Sequence, residues 1–128
     1  MTKKELNQLL FLRREVDVLV NRIKELDTLA KHKTIDYTMT VKSTVPSDVL
    51  EELIDLKDLM EQRLEQTLDK VIEIENYIKD VDDCEMRTIM VLRFVKGYSW
   101  LKVSMAIGAY DEQYARKKLD RYLKKNDN

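Results

Sequence analysis

Residues 93–108 read Arg93-Phe94-Val95-Lys96-Gly97-Tyr98-Ser99-Trp100-Leu101-Lys102-Val103-Ser104-Met105-Ala106-Ile107-Gly108. Both glycines of the chain lie in this run, and a helical pattern stands on each side of both. Before Gly97, residues Met86, Ile89, Met90, Leu92, Phe94 and Val95 form the apolar face of a helix expected over Cys84–Val95, capped by Asp82 or Asp83. Gly97 ends it, with Lys96 in the last turn. Ser99 is placed to cap a short helix, Trp100–Ile107, in which Trp100, Val103 and Ile107 recur at 3 and 4 and point to a core. Gly108 permits the positive φ of a tight turn between helices. A last helix is expected from near Asp111. Its inner stripe is Ala115, Leu119, Tyr122 and Leu123, with Tyr114 beside it, and its outer face carries Arg116, Lys117, Arg121, Lys124 and Lys125. Two helices joined by a Gly turn, the second of them basic, make a helix-turn-helix pattern.

Upstream the chain changes character. Over residues 3–32, Leu9, Leu12, Val16, Leu19, Ile23, Leu26 and Ala30 alternate at spacings of 3 and 4, an unbroken heptad seam. Leu10, Phe11, Val18 and Val20 widen that surface, which suggests that further helices pack there. Residues 33–46 are rich in strand formers but lack a hairpin turn, so a loop is expected, with a short β-ribbon as the alternative. Ser47 or Asp48 then caps a second long helix. Its seam is Leu50, Leu53, Lys57, Met60, Leu64, Thr67, Val71, Ile74, Ile78 and Val81, with Lys57 and Thr67 as polar intrusions. The acidic stretch Asp80, Asp82 and Asp83 marks a boundary. The expected fold is therefore all-α: a long antiparallel, coiled-coil-like hairpin over residues 1–81 that dimerises, then a trihelical helix-turn-helix domain over 82–128.

Composition agrees. Of 128 residues, 2 are Gly, 1 is Pro and 37% are charged, which favours helix. The net charge of -1 says nothing about partners, but it is unevenly spread. Residues 1–80 hold 13 Lys and Arg against 17 Asp and Glu, and residues 81–128 hold 10 against 7. The basic excess falls on the helix-turn-helix part, as contact with phosphate requires. One Cys (Cys84) and one His (His32) leave no disulfide, zinc framework or catalytic triad to assemble. No Gly-rich phosphate loop is present. A non-enzymatic protein without cofactor or metal is expected. No apolar run spans a bilayer and no signal peptide is evident, so a cytoplasmic location is expected, with no membrane partner.

The run Arg93 to Trp100, followed by Val103 and Ile107-Gly108, resembles sigma-70 region 4-like domains over about 40 residues. The chain as a whole is similar in architecture to small phage and prophage proteins of Gram-positive bacteria, in which a helical hairpin precedes such a domain. The resemblance implies a phage-encoded transcriptional regulator, acting in the bacterial host cell, that binds double-stranded DNA or RNA polymerase. In helix-turn-helix proteins the second helix of the motif enters the major groove. That would bring Glu112, Gln113, Arg116 and Lys117 near base edges, with Lys102 and the later lysines near phosphates; the DNA-binding residues so expected are Lys102, Gln113, Arg116, Lys117, Arg121 and Lys124. The chain departs from the family's pattern: Lys102-Val103-Ser104 stands where Glu-Ile-Ala is usual, Tyr110 where a capping Ser is usual, and Asp111 and Glu112 open the expected recognition helix. Acids suit a helix N-terminus but repel phosphate. The competing reading is therefore a protein-interaction module for RNA polymerase, a repressor or another host or phage regulatory protein. A third is a small terminase-like packaging component.

Overall fold

The computed structural model describes the backbone of residues 1–39 and 47–126 and the side chains of 1–31 and 48–126. The described residues are all-helical, in order α1 (Lys3–Met39), α2 (Ser47–Lys79), α3 (Cys84–Met90) continued by a π-helical turn (Val91–Val95), α4 (Trp100–Ala106) and α5 (Tyr114–Asn126). Helix α1 runs seven residues beyond the end expected at His32. The strand formers after it each cost a helix only tenths of a kcal/mol, and neither Gly nor Pro interrupts 33–39. Propagation, which adds a hydrogen bond per residue, carries the helix through. The rest of the expected loop, 40–46, and the side chains of His32 and Ser47 lie outside the described residues. Asp48 occupies the first turn of α2.

The chain forms two compact units, one of Met1–Arg13 with Asp69–Asn128 and the other of Arg14–Leu68. The cuts fall inside the two long helices rather than at the acidic turn after Lys79.

In the Arg14–Leu68 unit, Leu19 and Leu26 are buried, and the other seam residues with described side chains are half-buried apart from Thr67. Both polar intrusions are satisfied. The Lys57 ammonium donates to Asp27 Oδ1 at 3.0 Å, and Lys31 reaches Asp27 Oδ2 at 3.1 Å. The hydrogen bond from Lys57, then that from Lys31, holds the Asp27 carboxyl below its ordinary range. Thr67, which is buried, donates its hydroxyl to the Arg63 carbonyl one turn back, at 2.8 Å.

Among the described residues the other unit holds the larger core. It buries Leu6 and Leu9 of α1, then Val71, Ile74 and Ile78 of α2 and Val81 just after it. From the C-terminal helices it buries Met86, Ile89, Met90, Phe94, Val103, Ala115, Leu119 and Leu123. Helix α5 packs on α3 and α4, and the π-helical turn packs on both of these as well. Asp83 caps α3, its Oδ1 accepting from the Glu85 and Met86 amides at 2.9 and 3.3 Å. At the far end the π turn widens the ladder, so that the Lys96 amide bonds Val91 O and the Tyr98 amide bonds Leu92 O. Two arginines occupy the carbonyls there: Arg13 donates to Val95 O at 3.3 Å and Arg93 to Tyr98 O at 2.9 Å. Gly97, with φ +76°, reverses the chain, and a Cβ there would meet Leu10 Cδ1 at 3.2 Å. Ser99 caps α4 as expected, accepting from the Lys102 amide, and Gly108 has φ +81°.

Candidate nucleic-acid interface

Helix α5 begins at Tyr114, three residues later than the start expected near Asp111. The Asp111 side chain takes the Gln113 amide at 2.9 Å, an Asx turn that competes with helical bonding, so Asp111 and Glu112 lie in the connection and do not open the helix. The link between α4 and α5 is Ser104, which is buried. Its hydroxyl donates to Glu112 O at 3.1 Å and accepts from the Ala115 amide at 3.3 Å. Replacing Ser104 by Ala leaves a buried amide and a carbonyl without that partner, and the expected loss is about 2 kcal/mol in denaturant unfolding. An unchanged midpoint would mean that water takes over both bonds.

Once α5 is anchored through Ala115, Leu119 and Leu123, its opposite side is set by helical geometry. Lys117, Arg121 and Lys124 follow at intervals of four and three, share one stripe and are all exposed. The Arg121 Nε donates to the Lys117 carbonyl at 3.3 Å, which lays its side chain back along the helix. Arg116 is also exposed but sits on the flank shared with Asp120. Gln113 precedes the helix and is half-buried, with its Oε1 enclosed and without a hydrogen-bond partner. Lys102 belongs to α4, its ammonium 4.0 Å from the centre of the Tyr98 ring. The structure thus gathers three of the six expected residues into one stripe and places the other three off it.

Ion pairs adjust the charge of α5 on either side of this stripe. Asp120, the one acid of the helix, is bonded by Lys3 of α1 at 2.8 Å. On the other flank Lys118 is bonded by Glu85 of α3 at 2.7 Å. The hydrogen bond from Lys118 holds the Glu85 carboxyl below its ordinary range, and the same bond raises the Lys118 ammonium. A depressed carboxylate stabilises the fold above its unfolded pKa and is lost as pH falls through its folded value. A raised ammonium stabilises below its unfolded pKa and is lost as pH rises through its folded value. The pair therefore acts between about pH 4.5 and 10.5. Lys118→Met is expected to flatten the acid side of the stability profile below pH 4.5. An acid limb as steep as in the unmodified protein would assign that limb to other carboxylates.

Trp100, expected in the core, is half-buried instead. The Arg93 guanidinium lies 4.7 Å from its ring centre and Lys3 Nζ 5.8 Å. Nothing local in the sequence signals that Lys3, 97 positions earlier, reaches both Trp100 and Asp120. The outer side of α4 is apolar: Leu101 is 48% and Met105 66% exposed, and Tyr110 after it is fully exposed. Among the described residues no cluster of His, Cys, Asp and Glu is arranged to hold a metal ion, and no helix is long and apolar enough to cross a membrane.

In comparisons with known proteins, no family model, curated protein or solved structure matches the chain.

Proposed function

We propose that the chain is a phage-type transcriptional regulator that binds double-stranded DNA, with α4 and α5 as its helix-turn-helix and α1 with α2 as a dimerising hairpin. The observation that carries this reading is the exposed Lys117–Arg121–Lys124 stripe. It lies on the helix that the motif presents to the major groove, and that helix has its single acid held by Lys3. In this reading Lys117, Arg121 and Lys124 face the duplex, while Arg116 and Lys102 approach phosphates from its margins. Asp111 and Glu112 lie in the connection before α5 and are not part of its basic stripe.

The test is a salt titration of binding to mixed-sequence duplex DNA, followed by fluorescence anisotropy. The logarithm of the affinity is expected to fall linearly with the logarithm of salt concentration, with a slope of about −3 or steeper. Absence of retention at 50 mM salt removes the DNA reading. A second reading has its own support: Leu101, Met105 and Tyr110 present apolar surface where a helix crossing a phosphate backbone gains nothing from it. That surface suits a regulatory protein or RNA polymerase as partner.

A further inference from the structure

The described residues of the Arg14–Leu68 unit leave much apolar surface uncovered. Among its described residues only Leu19 and Leu26 are buried apolar side chains, while Val18, Leu29, Ile54, Leu56, Leu59 and Leu68 are exposed. So much exposed apolar side-chain surface on the described residues is what a partner helix would cover.

One stripe of α2 specifies what covers it. Glu52, Leu56, Leu59 and Arg63 follow at intervals of four, three and four, and 100° per residue keeps them within an arc of about 60°. The arc lies about a quarter turn from the seam. All four are exposed, Leu59 at 62% and Leu56 at 36%. The pattern is palindromic in charge: the acid precedes the first leucine by four residues, and the base follows the second leucine by four. A two-fold axis crossing α2 midway between Leu56 and Leu59 brings Leu56 against Leu59 of a second copy. The same operation sets Glu52 opposite Arg63 of that copy, twice over. An isologous interface demands this self-complementarity, and a chance partner does not. Lys57, between the leucines in sequence, points along the seam to Asp27 and so lies off this contact.

We infer that the protein self-associates through an antiparallel pairing of α2 with α2 of a second copy, centred between Leu56 and Leu59. This rests on the dimer proposed above and names its surface: a monomer fails both, a dimer indifferent to Glu52, Leu59 and Arg63 fails this surface alone, and DNA binding is read in a separate assay. The experiment is sedimentation equilibrium of the full chain over a range of concentrations. The unmodified protein is expected to be a dimer. Glu52→Lys sets Lys against Arg at both ends, and Arg63→Glu sets Glu against Glu, and each is expected to weaken the dimer about tenfold. An equimolar mixture of the two variants restores both attractive pairs and is expected to recover the unmodified affinity. Leu59→Glu, at a site exposed in the single chain, is expected to give a monomer with unchanged helicity by circular dichroism. A monomeric or higher-order unmodified protein overturns the inference, as does charge reversal without effect, a mixture that does not recover, or a Leu59→Glu variant that stays dimeric.

Discussion

Replacing Lys117, Arg121 and Lys124 together by alanine is expected to lower affinity for duplex DNA about 100-fold at 0.15 M salt and to shallow the salt slope by about three. The magnitude follows from counterion release, in which each phosphate neutralised contributes about 1 kcal/mol at that ionic strength. All three side chains are exposed and none reaches into the core, so the triple variant should unfold at the same midpoint as the parent. That separation gives the experiment its meaning. A loss of affinity with the slope intact would point to a changed conformation, and retained affinity with a retained slope would move the DNA site off α5. Replacing Lys118 alone should leave the slope unchanged, because Glu85 already occupies it.

Leu119→Ala is expected to cost about 3 kcal/mol in denaturant unfolding, the largest single effect on the fold among these substitutions. Leu119 is fully buried, on the inner stripe of α5 between Ala115 and Leu123, and α5 packs on both α3 and α4. The cavity left behind lies where the basic helix is seated, so DNA binding should fall as the folded fraction falls. At protein concentrations and temperatures where the variant remains folded, binding should return. A cost below about 1 kcal/mol would show that α5 settles into the vacancy, and the geometry of its basic stripe would then need to be redrawn.

Much of this architecture is legible in the chain itself. The seam positions of both long helices lie inward, from Leu9 and Leu26 to Ile74 and Val81. Asp83, Ser99, Gly97 and Gly108 act where their types suggest. Each of these depends on bonds or spacings within a few residues, and such features are written locally. The inner stripe of α5 is legible for the same reason, and with it the outward side of Lys117, Arg121 and Lys124.

Other features were not legible. The start of α5 shifted because one side-chain oxygen of Asp111 competes for an amide, a choice between two local options that propensity does not rank. The C-terminal extension of α1 to Met39 went the other way, since cooperative propagation outweighed strand propensity. Ser104 looked like a departure from a familiar pattern, yet it is the polar link between α4 and α5.

The sequence by itself determined that the chain is helical, and with that the inner stripes of its helices, the caps and turns between α3 and α4 and which helix carries the cations, because periodicity, caps and positive-φ glycines act over a few residues. Only the tertiary structure decided which charges of α5 stay available. Lys3 takes Asp120 across 117 positions, Glu85 takes Lys118, and Arg93 with Lys3 flanks Trp100 at the rim of the core. Those pairings depend on distances that exist only after the helices have packed, and no local spacing encodes them.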